Sequence, residues 1–467
     1  MNDNLSVVIL AAGRGTRMKS RKAKVLHEAG GKPLIAHVVD NALEVARADR
    51  ICVVVGYQAD QVRSAVGGRG VGFALQSEQR GTGHGVLSAR AAMPDEEGRV
   101  VVLYGDCPLL GPDTLRRLIA DQRESGAAAT LISTELDDPT GYGRIVRDDT
   151  GAVRAIVEEK AASAAEKAIR EINSGIYCFR ADLLWMRLAS LGPNPVSGEY
   201  YLTDVIAELD QAGHRAAALR LPNSAELLGI NNRIELAEAD RILGERTVRR
   251  LMLDGVTIRK PETVTIDATV TIGSDTVIEP FAQIRGDTRI GESCRVGTAA
   301  ILEDAILDDE VVVDSFTIVR HSRLERGAVV GPFARLRVDN HVEAGAHVGN
   351  FVELKKTRLG AGAKAQHLAY LGDSTIGEGV NIGAGTITCN YDGDRKHTTR
   401  IGRGAFVGSN STLVAPVEIG DDSYLAAGSV ITDSVPPGSL ALGRARQVVK
   451  EGWARKRRAA APVEKVP

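Results

Sequence analysis

Hydrophobic positions follow two rhythms along this chain, and the change falls near residue 233. Before it, short apolar runs at Leu5–Leu10, Ile51–Val55, Val100–Tyr104, Ala129–Ser133 and Gly175–Phe179 read as strands. Apolar residues at helical spacing over Leu34–Ala46 and Asp113–Glu124 read as helices between them. Strand, crossover helix, strand predicts an α/β domain with a largely parallel sheet, whose ligands sit at the carboxyl ends of its strands. Residues 231–253 form a charged amphipathic stretch that predicts a connecting helix.

From Ile266 onward an aliphatic residue recurs every six positions, through Ile272, Ile278, Ile284, Ile290, Val296 and Leu302. With occasional five-residue steps the series runs on to Ile382, and after an irregular segment it resumes at Ile401 and ends at Ile431. Neither a helix nor a single strand has that period. A hexapeptide β-helix does: each short strand sends one aliphatic inward and the chain then turns a corner, often at the Gly of a recurring Ile/Val-Gly pair. Three hexapeptides per triangular coil make residues 266–431 about nine coils, a prism roughly 45 Å long. The expected division is a domain over 1–233, a helical linker over 234–254 and a β-helix domain over 255–467.

Composition agrees with this picture. Gly is 50 of 467 residues while aromatics are 4%, as many corners around a thin core require. A net charge of −2 offers no electrostatic case for nucleic-acid binding. The five cysteines are widely spaced with no CxxC pair, which argues against a disulfide framework or a cysteine zinc site. No apolar run approaches a membrane span and the N-terminus lacks a basic leader, so a cytoplasmic protein without membrane insertion is expected.

The first strand leads into Leu10-Ala11-Ala12-Gly13-Arg14-Gly15-Thr16-Arg17. The segment is neither a Walker A loop nor a dinucleotide fingerprint, since Met18 stands where a third Gly belongs. Its bare N–H groups and basic side chains suit a phosphate, and the same residues also suit an ordinary tight turn. Asp106, alone, reads as a turn-former as readily as a metal ligand. Together the motifs say more. LAAGRGTRM with Lys24-Val25-Leu26 resembles the N-terminal pattern of sugar nucleotidyltransferases. Gln76, Gly81-Thr82-Gly83-His84, Tyr104-Gly105-Asp106, Gly141-Tyr142-Gly143-Arg144, Glu158, Asn173-Ser174-Gly175 and Gly229-Ile230-Asn231-Asn232 follow in order.

The second half adds Gly331–Arg337, Gly349–Lys356, His367–Asp373 and Asn381–Gly393. With them the chain, from about Val7 to Trp453, resembles the bacterial bifunctional N-acetylglucosamine-1-phosphate uridylyltransferase / glucosamine-1-phosphate N-acetyltransferase family. The resemblance implies a Rossmann-like, mostly parallel α/β nucleotidyltransferase domain followed by a left-handed parallel β-helix. It implies that acetyl-CoA acetylates glucosamine 1-phosphate, and that UTP then uridylylates the product, releasing pyrophosphate and UDP-N-acetylglucosamine for peptidoglycan and lipopolysaccharide.

By the same resemblance Leu10, Ala11, Ala12, Gly13, Gln76, Gly81 and Thr82 hold uracil and ribose, with Tyr104 and Gly105 beside them. Lys24 offsets triphosphate charge as a catalytic residue, Gly143, Glu158 and Asn173 contact the amino sugar, and Asp106 with Asn231 ligates Mg²⁺. A phosphate attacking a phosphate must overcome like-charge repulsion, which a hard divalent cation and a lysine do. Arg14, where the family often has Lys, keeps the charge. In the second half the resemblance gives Arg337, Lys355, Tyr370, Asn381 and Lys396 to glucosamine 1-phosphate and makes His367 the general base. It gives Ala384, Asn390, Tyr391, Ser409, Ala427 and Arg444 to acetyl-CoA. An ammonium cannot attack a thioester, and an imidazole can take its proton at neutral pH. Val338 replaces a frequent Pro, which touches only local loop shape.

Other readings of the prism are a zinc enzyme or a purely structural appendage. His321, His341 and His347 occupy different phases of the repeat and do not stack, which disfavours zinc. A regulatory assembly subunit would tolerate loss of Asp106, Lys24 or His367, and all three are intact. Trp185 and the run 199–204 are expected to pack and to start a helix, and the basic tail Lys450–Arg458 to be solvated. Counting in threes places Val348, Ala365, Ile382 and Ile401 on one face and Leu336, Leu354, Leu371, Thr388, Val407 and Leu425 on another. His367 and Ala384 then follow the first face, and Asn390, Ser409 and Ala427 follow the second. Diverging faces of that kind predict a homotrimer whose grooves join two chains.

Overall fold

The structure is a computed structural model that describes residues 4–93, 97–195, 197–222 and 224–460. It divides into two compact units, residues 1–249 with 266–269, and residues 250–265 with 270–467.

The first unit is built on one nine-stranded sheet. Its strands are β1 (Leu5–Ala11), β2 (Ile51–Val55), β3 (Gly72–Leu75), β4 (Arg99–Tyr104), β5 (Ala129–Glu135), β6 (Arg144–Arg147), β7 (Val153–Val157), β8 (Glu171–Arg180) and β9 (Ala216–Arg220). They lie in the order β3-β2-β1-β4-β8-β5-β9-β7-β6. From β3 to β4 every pairing is parallel. β8 runs antiparallel to both its neighbours, β4 and β5, and β6 and β7 pair antiparallel. The run of adjacent parallel strands therefore lies in the half of the sheet that carries the LAAGRGTRM turn, and the other half adds one parallel pairing, β9 with β5.

Alternation along β1 divides the core. Val7 and Ile9 pack with the helices Leu34–Leu43, Ala59–Val66 and Pro112–Ser125 on one face. Val8 packs on the other with Thr82–Ser88, Ala181–Ser190 and Asp204–Gln211. A helix occupies the expected stretch as Arg233–Leu253, and up to Arg249 it belongs to the first unit, where Ala239 and Leu243 pack with Leu34 and Leu109.

In the second unit three parallel sheets of eleven, ten and nine short strands wind around one core. Every aliphatic position of the six-residue series is buried. Strands such as Lys364–His367, Tyr370–Gly372 and Ser374–Ile376 lie in the first, second and third sheets in turn. The corners need left-handed backbone, and many hold it without glycine: Phe316, Phe333 and Phe351 have φ of 60°, 56° and 57°. These rings stack, with centroids 5.1 and 5.5 Å apart, and all three are exposed.

The structure corrects the register beyond Ile382. Val348, Ala365, Ile382, Val407 and Leu425 share the first sheet, whereas Ile401 lies in the third beside Ile376 and Ile419. Leu336, Leu354, Leu371, Thr388 and Leu413 share the second. Ser409 and Ala427 therefore follow first-sheet positions together with His367 and Ala384, and only Asn390 follows the second. The irregular segment caused the miscount. It leaves the prism at Asn390 and is closed by the His397 N–H donating to the Asn390 carbonyl at 2.9 Å. The excursion lies inside one coil, between a second-sheet and a third-sheet strand, so it uses up no step of the repeat.

Leu354→Ala removes a fully buried side chain from a core one aliphatic wide per face. The expected loss is about 3 kcal/mol, read as a lower unfolding midpoint for the β-helix transition with that of the α/β unit unchanged.

Candidate functional sites

In the α/β unit a cleft of about 380 Å³ opens at the carboxyl ends of β1 and β4. Leu10, Ala11, Ala12, Gly13, Lys24, Gln76, Gly81, Thr82, Tyr104 and Asp106 line it, joined by Val25, Gln79, Gly85 and Glu199. Local bonding explains the arrangement. The Gln79 amide donates to the Ala12 carbonyl at 2.7 Å, holding the small-residue turn. Gln76 Nε2 donates to the Gly81 carbonyl and contacts His84 Nδ1, both at 3.1 Å. Gly81 has φ of 108°, and a Cβ there would sit 2.6 Å from the Tyr200 carbonyl oxygen, so this position requires glycine. Gly105 lies beneath the cleft, its N–H donating to the Leu10 carbonyl at 2.9 Å.

At one end of the cleft Lys24, Asp106 and Asn231 converge. The Lys24 ammonium pairs with Asp106 and donates to Asn231 Oδ1 at 3.2 Å. Arg17 donates to the same oxygen at 2.8 Å. Asn231 is placed by the start of the Arg233–Leu253 helix. Asn232 Oδ1 accepts the Ile234 and Glu235 N–H groups at 2.9 and 3.0 Å, a side-chain cap. Glu235 reaches back to the Asn231 N–H at 2.6 Å. One carboxylate oxygen and one amide oxygen thus meet at a single cation. That is a donor set suited to Mg²⁺, which takes few protein oxygens and fills its shell with water and phosphate.

Tyr104 joins this cleft to a second group. Its hydroxyl bonds Thr82, and burial pushes its pKa up, with Glu158 and Asp106 adding to the shift. Gly143 just before β6, Glu158 just after β7 and Asn173 on β8 come together: the Asn173 N–H donates to the Gly143 carbonyl at 2.9 Å. A Cβ on Gly143 would lie 3.5 Å from Glu158 Oε1. Burial raises the Glu158 pKa, against a 3.2 Å hydrogen bond from Thr203. The run 199–204 does more than start a helix. Glu199 lines the cleft, Tyr200 holds Gly83, and the Leu202 N–H donates to Thr82 Oγ1 at 3.0 Å. Glu199, Thr203, Gln79 and Arg17 were not assigned from sequence. Arg17 lay inside the LAAGRGTRM motif, and Glu199 and Thr203 inside the run expected only to pack and to start a helix.

In the β-helix unit His367 is exposed, and its Nδ1 lies 2.8 Å from Asn350 Oδ1. The amide oxygen can only accept, so Nδ1 carries the proton and Nε2 is left with a free lone pair. Asn350 is the residue of the preceding coil paired with His367, an orienting role that the motif contained but the sequence reading did not assign. Ala384, Ser409 and Ala427 continue the row of His367, one per coil, and a Cβ on Gly428 would lie 3.9 Å from Arg444 Cδ.

On the second-sheet side Lys355 Nζ lies 3.4 Å from Asp373 Oδ2, and the Asn390 amide also donates to Asp373. Lys396 lies beside Lys355, a contact that holds the Lys396 pKa below its ordinary value. Arg337 donates to Glu353 Oε1 at 3.2 Å on the same sheet, where Tyr370 also lies. Asn381 stands apart on the first sheet, between Lys364 and Phe406. Asn390 therefore belongs with the lysine group and not with Ser409 and Ala427. Tyr391, beside it, is exposed. Asp373 was not assigned from sequence.

Comparison with known proteins bears on both units. Residues 7–183 match the MobA-like NTP transferase domain, and residues 398–433 match the bacterial transferase hexapeptide (six repeats). The chain is 61% identical over 458 residues to the bifunctional protein GlmU of Solibacter usitatus, covering 98% of each chain. It is 49% identical over 461 residues to the GlmU protein of Koribacter versatilis, again covering 98% of each. With that of an Anaeromyxobacter species it shares 52% identity over 461 residues, covering 98% of this chain and 94% of the relative.

Gly81→Ala forces a Cβ against the Tyr200 backbone at a left-handed φ. Strain of about 1–3 kcal/mol is expected to lower the unfolding midpoint of the α/β unit by several degrees and, where the backbone shifts to relieve it, to weaken nucleotide binding roughly tenfold, measured by calorimetry.

Proposed function

The chain belongs to the family of bifunctional GlmU proteins, and on that premise we propose how its two units divide the work and which residues do it. It is a bifunctional transferase with uridylyltransferase and acetyltransferase activities, built as a nucleotidyltransferase domain and a left-handed hexapeptide β-helix. Its substrates are a nucleotide and an acyl-CoA together with a sugar phosphate. The working division is residues 1–233 for uridylyl transfer, 234–254 as linker and 255–467 for acetyl transfer.

Acetyl transfer comes first. The amine of glucosamine 1-phosphate attacks the thioester carbonyl of acetyl-CoA, the C–S bond breaks, and CoA leaves as thiol. His367 Nε2 takes the ammonium proton, with Asn350 fixing the tautomer that leaves that nitrogen free. Lys355 and Lys396, with Arg337, Tyr370 and Asn381, hold the sugar phosphate. The single observation that carries this reading is the His367–Asn350 bond on the row that continues as Ala384, Ser409 and Ala427. Small side chains at one-coil spacing leave room for an extended cofactor, flanked by Tyr391 and Arg444.

In uridylyl transfer a phosphate oxygen of N-acetylglucosamine 1-phosphate displaces pyrophosphate from the α-phosphorus of UTP. Residues 10–13, Gln76, Gly81 and Thr82 hold the nucleoside, and Tyr104, Gly143, Glu158 and Asn173 hold the sugar. Lys24 and Arg17 supply positive charge where phosphates gather. Asp106 and Asn231 would hold Mg²⁺, which would neutralise charge and align the phosphates.

The register correction removes the diverging-face argument for a trimer. A different observation supports one: Phe281, Phe316, Phe333, Phe351 and Leu368 are all exposed along the prism, an apolar row of the kind that marks an interaction surface. A homotrimer covers it, and sedimentation at micromolar concentration should give three times the chain mass. Among the described residues no helix is long and apolar enough to cross a membrane. The cytoplasm, which supplies UTP and acetyl-CoA, is the proposed location. UDP-N-acetylglucosamine is the proposed product, feeding cell-wall synthesis.

The direct test incubates the protein with glucosamine 1-phosphate, acetyl-CoA, UTP and Mg²⁺ and detects UDP-N-acetylglucosamine by mass. Asp106→Ala should lower uridylyl transfer by on the order of 10²–10³-fold and leave acetyl transfer within experimental error. A chelator should stop uridylyl transfer alone. Chelator-resistant uridylyl transfer would remove Asp106 and Asn231 from their role.

A further inference from the structure

The excursion at 390–398 is folded on itself around one carboxylate. Asp392 Oδ1 accepts the Asp394 and Arg395 N–H groups at 2.8 and 2.7 Å, and Oδ2 meets His397 Nε2 at 2.6 Å. Backbone pairing closes the same hairpin, through the Tyr391–Lys396 bridge and the His397 N–H on the Asn390 carbonyl. The Tyr391 hydroxyl donates to the Gly393 carbonyl at 2.5 Å. Asp392 thus spends its acceptors inside the loop. The Arg395 N–H above all, then His397, holds its carboxyl well below the usual carboxylate range.

The hairpin carries Lys396 into an unfavourable place. Its ammonium lies beside that of Lys355, with Lys356 adding further positive charge and Asp373 the opposing negative charge. A lysine on a free loop would swing into water to escape this repulsion. Asn390, at the foot of the hairpin, is tied to Asp373, and Asp373 to Lys355, so the strain closes through a ring of contacts.

We propose that Asp392 and His397 are positioning residues: their bond clamps the hairpin so that Lys396 stays beside Lys355 and the pair meets the phosphate of the amino-sugar phosphate as a preformed dication. This rests on the reading of Lys355 and Lys396 as the phosphate-binding pair. Asp392 and His397 bond to each other within the hairpin and act through Lys396. The gain is preorganisation, since the cost of bringing two ammonium groups together is met by the fold before the dianion arrives.

The test measures acetyl transfer by the full chain and its Lys396→Ala, His397→Phe and His397→Gln variants. Phenylalanine keeps the ring volume and loses the hydrogen bond, whereas glutamine keeps a donor near the place of Nε2. His397→Phe should raise KM for glucosamine 1-phosphate about tenfold, with kcat and KM for acetyl-CoA within about twofold. Inorganic phosphate, used as a competitive inhibitor, should weaken by the same factor. His397→Gln should recover most of the loss, and Lys396→Ala should raise KM at least as far as His397→Phe. Unfolding midpoints and sedimentation establish that each variant is folded. A raised KM in Lys396→Ala with an unchanged KM in His397→Phe overturns the clamp and leaves the phosphate pair standing. An unchanged KM in Lys396→Ala overturns the phosphate reading beneath it. Equal losses in the Phe and Gln variants, or a fall in kcat without a change in KM, mean that the ring only packs, and also overturn the clamp.

Discussion

Burying one aliphatic side chain in every six residues is the constraint on which the C-terminal unit depends. Each sheet contributes one inward side chain per coil, so the core is only as wide as three such residues, and the polar one at Thr388 is buried with its hydroxyl donating to the Gly372 carbonyl at 3.2 Å. Backbone pairing fixes the rise between coils at about 4.8 Å. The outward positions carry no such demand. They are where chemistry can be placed, and the rise then sets its spacing. Asn350 and His367 stand in adjacent coils at equivalent positions, which is why a residue of one coil orients the imidazole of the next. The corners obey the same economy. Phe316, Phe333 and Phe351 accept a left-handed backbone that most side chains avoid, at about 1–2 kcal/mol each, and stacking offsets part of that cost.

The two units meet one electrostatic problem in two ways. Both handle phosphates, and both hold a lysine in place with a carboxylate before a ligand is present. In the α/β unit Lys24 bonds Asp106 and the Asn231 amide oxygen. In the β-helix Lys355 bonds Asp373, and Lys396 is brought beside it. In the first case the oxygens around the lysine also suit a divalent cation, so charge can be exchanged as phosphates arrive. In the second Asp373 faces both Lys355 and Lys396, an arrangement that suits the dianion of the proposed sugar phosphate.

Much of this was legible in the sequence, because burial writes a period. The strands β1, β2, β4, β5 and β8 and every inward aliphatic of the prism announce themselves by apolar runs or by sixes. β3, β6, β7 and β9 did not, being short, half-exposed or at the antiparallel side, where the apolar signal is weak. The motif residues of the nucleotide cleft came together because glycines such as Gly81 mark close backbone approaches that nothing larger fits. Partners that act through one hydrogen bond left no such mark. Asn350, Asp373 and Thr203 are ordinary polar residues until the fold brings a histidine, a lysine or a glutamate beside them. The register error beyond Ile382 has a similar origin: the period reports how many steps are taken, and a hairpin that rejoins the corner it left adds residues without adding a step.

That failure also locates the chemistry. A regular repeat treats all its coils alike, so a site unique to one part of the prism has to break the pattern somewhere. The 390–398 hairpin breaks it at small cost, because the His397–Asn390 backbone pair returns the chain to the same corner and the core below continues undisturbed from Thr388 to Ile401. The α/β unit follows the same logic. Its cleft gathers at Gly81, where φ is 108°, and at the capped helix start that presents Asn231, which are the places where strand and helix end. In both units regular structure supplies rigidity, and the interruptions, each tied down by its own hydrogen bonds, supply the groups that meet the substrate.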